Sequence, residues 1–192
     1  MIEGRRRQID DAASALFRQR GYAATSVRDI ARSLDMQGAS LYAHVASKED
    51  VLWSIVDRTA GAFEHAAGAA LERGGAASDR LAAFVRAHVH VVTDDPQAAT
   101  VFVHEWRNLS SERRRAILAR RDRYEARLTT LIRDGMADGS FATADARTAA
   151  AFLLAALNGI AAWYRPDGRL APDDIADEYA RLCLRALAEP AR

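Results

Sequence analysis

The chain has 192 residues, a hydrophobic fraction of 49% and a formal net charge of +1. This length suits one mid-sized domain or two small ones, and the apolar content is sufficient for a core. The sequence begins Met-Ile-Glu-Gly-Arg-Arg-Arg, which predicts no secretory signal. The single cysteine, Cys183, excludes a disulfide framework and a Cys-rich metal site, and it fits a reducing cytoplasm.

The spacing of apolar residues predicts an all-α protein of about nine helices. Apolar residues recur every three or four positions along most of the chain, and the alternation typical of strands is missing. The first helix is predicted over residues 5–20, with Gly21 as its C-terminal stop. Ser26 and Asp29 have the spacing of a capping box and predict the start of a second, short helix.

A tight turn at residues 35–37 leads to a third short helix that is predicted to end near His44. Ser47 and Asp50 repeat the capping pattern and predict a long fourth helix that runs to about Arg73. Five more helices are predicted near residues 78–93, 96–108, 111–137, 144–164 and 172–188. The uncharged stretch 148–164 is alanine-rich and contains Asn158 and Gly159, so it predicts a core helix rather than a membrane span.

The first three predicted helices carry an excess of positive charge. Residues 5–48 contain eight Lys or Arg and four acids, although a solvated surface also explains such an excess. Two short helices joined by a tight turn, directly after a longer helix, are typical of a helix-turn-helix head that binds DNA.

The residues of this head resemble the DNA-binding signature of the TetR family. The segment is LFRQRGYAATSVRDIARSLDMQGASLYAHVASKEDVL, residues 16–52. The resemblance implies a helix-turn-helix domain over residues 1–47 and a larger helical-bundle domain for ligand binding and dimerisation over residues 48–192. It also implies a cytoplasmic repressor that binds a double-stranded DNA operator as a homodimer, with no membrane partner. Three positions depart from the family pattern: Asp35 replaces a glycine, Gln37 replaces a Ser or Thr cap, and Val45 replaces a large aromatic residue.

The predicted DNA contacts lie in and around the second and third helices. A helix N-terminus offers free N–H groups to a phosphate, and small side chains on the third helix can approach base edges. Ser26 is alternatively a simple helix cap, and Tyr42 is alternatively a half-buried core residue. The predicted DNA contacts are Thr25, Ser26, Gln37, Gly38, Ala39, Ser40, Tyr42, His44 and Lys48.

The resemblance implies a two-fold dimer built from the last two long helices. Small residues on one helix face allow another helix to approach closely, although an internal core explains the same pattern. The predicted interface residues are Phe152, Ala155, Ala156, Gly159, Ile175, Tyr179 and Leu182.

A ligand pocket is expected between the middle helices. Arg121 interrupts an apolar stripe, and a half-buried arginine needs an anion, which is either Glu105 or an acidic ligand. His88, Phe102 and Trp106 are alternatively plain core residues. Residues 111–134 contain eight arginines and four acids, and most of these arginines fit a solvated face. Together with residues 157–170, this segment is similar to a TetR branch that responds to acyl-coenzyme A. The predicted ligand contacts are Phe84, His88, Phe102, Trp106, Arg114, Arg121, Tyr124, Asn158 and Trp163.

The main competing class is an enzyme, and the sequence argues against it. None of the five histidines has a glutamate three residues before it, which a di-iron helical bundle requires. Neither a glycine-rich phosphate loop nor G-x-S-x-G occurs. The sequence therefore predicts no catalytic residue, metal or cofactor. A ligand-independent DNA-binding regulator or activator of the same fold stays as the alternative.

Overall fold

The computed structural model describes residues 2–188, with side chains from residue 4 onwards. Within this range it contains nine α-helices and no strand, which confirms the predicted all-α class. A short 3₁₀ turn, Trp106–Asn108, lies between the sixth and seventh helices. The helices are α1 (Ile2–Arg20), α2 (Val27–Ser33), α3 (Gly38–Tyr42), α4 (Lys48–Leu71), α5 (Ala77–Asp94), α6 (Pro96–His104), α7 (Ser111–Ala137), α8 (Ala146–Trp163) and α9 (Pro172–Leu187).

The chain forms two compact units. The first contains the residues through Ala60 together with Gln97–Ala119, and the second contains Gly61–Pro96 and the residues from Arg120 onwards. Helices α4 and α7 therefore contribute residues to both units. The predicted domain boundary between residues 47 and 48 divides the chain by expected function, whereas the two compact units divide it by internal contacts. The predicted boundary therefore stays a prediction. The outer ends of the two predicted domains, residue 1 and residues 189–192, lie outside the described part of the chain.

Local interactions define the short helices of the first unit. The Ser26 hydroxyl accepts a hydrogen bond from the Asp29 amide at 3.1 Å, and the Ser26 amide donates to the Asp29 carboxylate at 2.9 Å, which completes the predicted capping box. Helix α1 ends at Gly21, whose φ is +81°. Asp35 has a φ of +53° and makes the turn at the position where the family pattern has glycine.

Apolar side chains of the first four helices form the core of the first unit. Helix α2 packs on both α1 and α3. The buried residues of the first unit include Ile9, Ala13, Phe17, Ile30, Ala31, Leu41, Val45, Val51, Leu52 and Ile55. Val45 is among them, so the smaller side chain still contributes to the core beneath the third helix.

In the second unit, α5 packs extensively against α9 and also against α8. The buried residues of α5 include Leu81, Phe84, Val85, His88, Val89 and Val92. Those of α9 are Ile175, Ala176, Ala180, Cys183 and Leu187. These two stripes form the core of the second unit.

Helix α8 is the one described helix that is long and apolar enough to cross a membrane. A single helix of this kind is weak evidence for a membrane span, because a core helix of a soluble protein has the same length and composition. One face of α8 is buried in the second unit, through Ala150, Leu153, Leu157 and Ile160 among others. This burial agrees with the predicted core helix.

Candidate DNA-binding and effector sites

The third helix presents a polar, small-residue face to solvent. Gln37, Ala39 and Ser40 are exposed, while Gly38 and His44 are half-buried. Tyr42 is 57% exposed, so the alternative of a half-buried core tyrosine is wrong. The inward side of the same turn is anchored by Leu41, which is fully buried. The predicted base-reading residues therefore lie together on or beside one exposed face of α3.

The start of α2 is occupied by its own cap. Hydrogen bonds from the Ser26 hydroxyl and amide hold the pKa of Asp29 below its ordinary value. Ser26 is exposed, so the N-terminal end of α2 faces solvent. Thr25 is only 1% exposed, and its hydroxyl donates to the Gly21 carbonyl at 2.9 Å. The predicted Thr25 contact with DNA is therefore corrected, because this side chain is committed to the turn after α1.

Lys48 makes contacts that the sequence did not indicate. Its Nζ donates to the carbonyls of Tyr22 and Thr25, both at 2.8 Å, and lies 4.1 Å from the centre of the Tyr22 ring. The ammonium group has three protons, so one remains for a further acceptor. Lys48 therefore clamps the first turn of α4 to the α1–α2 turn.

A buried carboxylate links α1 to α4. Asp10 is 2% exposed and accepts hydrogen bonds from Ser54 at 2.7 Å and from Arg58 at 3.0 Å, and Arg6 lies 3.3 Å away. Burial raises the pKa of Asp10, and these three partners oppose that shift. The network fixes α1 against α4 through polar contacts. Only the Arg6–Asp10 spacing of four residues could have been recognised in the sequence.

A second cluster joins the first turns of α4 and α7. Arg6 also contacts Asp50 at 3.0 Å, and Arg113 approaches the other Asp50 oxygen at 3.4 Å. The Ser110 amide donates to Glu49 at 2.9 Å, which lowers the pKa of Glu49. The Ser47 hydroxyl caps Asp50 as predicted, at 3.0 Å, while the Asp50 carboxylate is used for the arginines. Glu49 and Asp50, in the first turn of α4, therefore hold Ser110 at the start of α7 and Arg113 in its first turn.

Three of the predicted ligand contacts come together in the second unit. His88 Nδ1 lies 2.9 Å from the Tyr124 hydroxyl, and the Phe84 ring is 5.2 Å from the Tyr124 ring. Phe63, which was not predicted, completes the cluster at 4.6 Å from the His88 ring. Burial lowers the pKa of His88 to about 3 and raises the pKa of Tyr124. The cluster is therefore aromatic, hydrogen-bonded and uncharged.

Three further predicted ligand contacts belong to the first unit. Phe102 and Trp106 are nearly buried residues of the first unit. Arg114 is exposed in the same unit and donates to the Arg107 carbonyl at 3.3 Å. The predicted ligand contact of Arg114 stays a prediction.

On the second-unit part of α7, Arg121 is half-buried. Its neighbour Arg120 forms a bidentate salt bridge with Glu64, in which two guanidinium nitrogens lie 2.7 and 3.1 Å from the carboxylate oxygens. This salt bridge was not predicted from the sequence. Glu105, the acid that was considered for Arg121, lies in the first unit and accepts a hydrogen bond from Asn108 at 2.7 Å.

The outer faces of α8 and α9 carry exposed apolar side chains. Phe152 is 62% exposed and Leu182 is 47% exposed, and Ala155, Ala156 and Gly159 are also exposed. Ile175 is 1% exposed and faces the core, so its predicted place in the interface is corrected.

Two aromatic residues connect these outer faces. Trp163 is 45% exposed and stacks on half-buried Tyr179, with ring centroids 6.4 Å apart. Trp163 therefore belongs with the outer surface rather than with the aromatic cluster, which corrects its predicted pocket position. Asn158, on the same helix, is half-buried.

A three-helix head with an exposed third helix, followed by a second helical unit, defines a DNA-binding regulator of the helix-turn-helix class. The chain matches the family model for bacterial regulatory proteins of the tetR family over residues 9–55. Residues 74–187 match the model for the tetracyclin repressor-like C-terminal domain. The chain therefore belongs to the TetR family of bacterial transcriptional regulators.

Relatives and solved structures agree with this assignment. The HTH-type transcriptional repressor KstR2 of Rhodococcus jostii is 29% identical, over 97% of this chain and 93% of the relative. The TetR family regulator PfmR of Thermus thermophilus is 33% identical with a TM-score of 0.84, covering 92% of this chain and 97% of that one. AibR, solved with isovaleryl coenzyme A and operator DNA, is 29% identical with a TM-score of 0.82, covering 93% and 97%. These proteins are transcriptional regulators, and none of the similarities indicates catalysis.

Proposed function

We propose that this protein is a cytoplasmic repressor that binds an inverted-repeat operator as a homodimer and releases it when an organic anion with an apolar portion binds. The observation that supports this most is the exposed face of α3 on a head in which Lys48, Asp10 and Arg6 tie α1 and the turn after it to α4. A rigid head with small and polar side chains outward suits insertion into the major groove.

The proposed operator contacts divide into two groups. Gln37, Gly38, Ala39, Ser40 and His44 face the bases or adjacent phosphates. Ser26, Tyr42 and Lys48 contact the phosphate backbone, since Ser26 and Tyr42 are exposed and the Lys48 ammonium group keeps one proton for a further acceptor. In vitro selection of operator sequences tests this division. Gln37→Ala should relax one base position and cost about 1–3 kcal/mol there, whereas Tyr42→Phe should weaken all sequences alike. A chain that selects no sequence from the pool would contradict the proposal.

Dimerisation is proposed through the outer faces of α8 and α9. Phe152, Trp163 and Leu182 are large apolar side chains that remain 45–62% exposed in the single chain. Gly159 leaves open space, since among the described residues no atom outside the backbone of its own helix lies within 4 Å of a Cβ added there. A second copy seated on this face would bury the aromatic residues and use the small ones for close helix approach.

An acyl-coenzyme A is the proposed effector. The aromatic cluster of Phe63, Phe84, His88 and Tyr124 suits an apolar group, and Arg121 on the same helix as Tyr124 suits an anion. AibR, a relative over almost its whole length, has been solved with isovaleryl coenzyme A and operator DNA together. In our proposal, the ligand favours dimers whose recognition helices no longer match successive major grooves about 34–36 Å apart. Switching most of the population requires the ligand to bind the released form more tightly by a few kcal/mol.

A titration measures whether the ligand releases the protein from DNA or tightens its binding. We propose to titrate isovaleryl, decanoyl and phenylacetyl coenzyme A into the protein bound to fluorescent operator, with coenzyme A alone as the control. Release with a raised melting temperature supports the proposal, since a ligand that binds only the folded state stabilises it. Tighter DNA binding would contradict release, and an operator complex that ignores every ligand would favour the ligand-independent regulator.

Arg121→Gln tests the anion contact. This variant should retain operator binding and lose the ligand response, while Arg133→Gln, an exposed arginine on the same helix, should retain both. A normal response in Arg121→Gln would mean that the anion is bound elsewhere. An unfolded variant would mean that Arg121 serves the fold rather than the effector.

A further inference from the structure

Among the described residues, one nitrogen of the His88 imidazole has a hydrogen-bond partner and the other has none. Nδ1 is 2.9 Å from the Tyr124 hydroxyl. The residue is 2% exposed, and among residues 4–188 no group forms a hydrogen bond with the buried Nε2. Buried polar atoms in folded proteins nearly always have a hydrogen-bond partner, so an unpaired one requires an explanation.

The surroundings of this nitrogen are apolar and uncharged. The Phe63 ring lies 4.6 Å from the His88 ring, and the Tyr124 ring lies 5.9 Å from Phe63 and 5.2 Å from Phe84. Because burial lowers the pKa of His88 to about 3 and raises that of Tyr124, both side chains are neutral at physiological pH. A charged ligand group has no counter-ion in this cluster, whereas a neutral oxygen matches it.

We infer that His88 Nε2 is the hydrogen-bonding point for a neutral oxygen, a carbonyl or a hydroxyl, carried within the apolar part of the effector. This inference rests on the proposed function, since it places that apolar part at the aromatic cluster. The rings contact one another, so an oxygen reaches Nε2 by displacing a neighbouring ring. Phe63 belongs to α4, the helix that carries Lys48 at its other end. Recognition of the oxygen therefore acts on a helix that also holds the DNA-binding head.

The tautomer of His88 decides which oxygen is preferred. If the Tyr124 hydroxyl donates to Nδ1, the proton of the imidazole lies on Nε2 and a carbonyl is favoured. If Nδ1 donates to Tyr124, then Nε2 accepts and a hydroxyl is favoured. Either tautomer discriminates against a saturated hydrocarbon, because a hydrocarbon leaves Nε2 buried and unpaired.

The experiment uses neutral fragments that contain no coenzyme A. Cyclohexanone, cyclohexanol and methylcyclohexane have similar size and differ in the oxygen. Nitrogen-15 NMR of histidine-labelled full-length protein reads the tautomer and Nε2 of His88, assigned with a His88→Leu variant. We expect one oxygenated fragment to shift the Nε2 resonance and to bind about tenfold tighter than methylcyclohexane, the discrimination of a single buried hydrogen bond.

A double variant provides the matched control. His88→Leu/Tyr124→Phe removes both polar groups together, so neither is left unpaired, and the fold should be retained. In this variant the three fragments should bind equally. Phe63→Leu changes the apolar wall and keeps the pair, so the preference for oxygen should remain.

The outcomes separate this inference from the proposed function. If no fragment perturbs His88, as would happen if a permanently buried water paired Nε2, the inference is wrong. An acyl-coenzyme A response without oxygen preference leaves the proposed function standing and overturns the inference. If the wild-type protein prefers the oxygenated fragments and the double variant does not, but no acyl-coenzyme A releases DNA, the inference is supported and the proposed effector is contradicted.

Discussion

Lys48→Met removes the ammonium group that clamps α4 to the α1–α2 turn and keeps most of the apolar stem. Two hydrogen bonds of 2.8 Å to carbonyl oxygens and a contact with the Tyr22 ring are lost. A hydrogen bond to a charged group contributes about 1.5–3 kcal/mol, and a cation over an exposed ring about 0.5–1 kcal/mol. Since Lys48 is half-buried and water can replace it at the carbonyls, we expect a net loss of about 2 kcal/mol.

Thermal unfolding followed by circular dichroism measures this loss. For a chain of this size, 2 kcal/mol corresponds to a fall in Tm of about 4–8 °C. Arg28→Met is the matched control, because Arg28 is an exposed cation of α2, and its Tm should stay close to wild type. A Lys48→Met Tm equal to that of the control would refute the clamp.

Operator binding tests the remaining proton of Lys48. If it reaches a phosphate, Lys48→Met should weaken binding to all sequences alike and flatten the dependence of log K on log salt by roughly one unit. Fluorescence anisotropy over a series of KCl concentrations measures that slope. An unchanged slope with a lowered Tm would mean that Lys48 acts only inside the protein.

Three further predictions follow from single positions. Gly159→Leu should leave the subunit folded, because no described atom outside the backbone of its own helix lies within 4 Å of an added Cβ, but should overpack the proposed dimer by about 1–3 kcal/mol; unchanged dimer mass in light scattering would contradict this. Asp35→Ala should lower the Tm, since the φ of +53° costs most L-residues about 1–2 kcal/mol, whereas Asp35→Gly should not. His88 has a pKa of about 3 when folded and 6.5 ordinarily, so the unfolded chain gains a proton first as the pH falls. Stability should therefore decrease below pH 6.5 by up to about 1.4 kcal/mol per pH unit relative to the His88→Leu/Tyr124→Phe variant, as measured by Tm against pH; parallel curves would contradict a buried neutral histidine.

The sequence predicted those features that depend on neighbouring residues. The Ser26–Asp29 box, the left-handed Asp35 turn and the span of α7 each follow from interactions within about four positions, where spacing and side-chain chemistry are decisive. The predicted reading face of α3 is also local, because a helix of five residues has one inward side, set by Leu41.

Features that depend on distant residues were missed or misassigned. Lys48 was predicted only as a DNA contact, whereas its Nζ reaches carbonyls more than 20 residues away. Helix α9 has apolar residues on two sides, so its pattern could not decide that Ile175 faces α5 while Leu182 faces outward. On α7 the sequence singled out Arg121 and did not predict the pair of Arg120 with Glu64, which joins residues 56 positions apart.

Helices α4 and α7 each contribute residues to both units, so the proposed effector residues Phe63 and Tyr124 are covalently continuous with the first unit. In the first unit, Arg113 joins them through Glu49 and Asp50, and in the second unit Arg120 joins them through Glu64. Partly exposed pairs of this kind add little stability, so their main effect is to fix the register of one helix along the other. In the proposed mechanism, a ligand that displaces Phe63 or Tyr124 would act on these same two helices. Phe63 and Tyr124 thus lie on helices that contribute to both units, whereas Phe84 and His88 lie on α5 within the second unit.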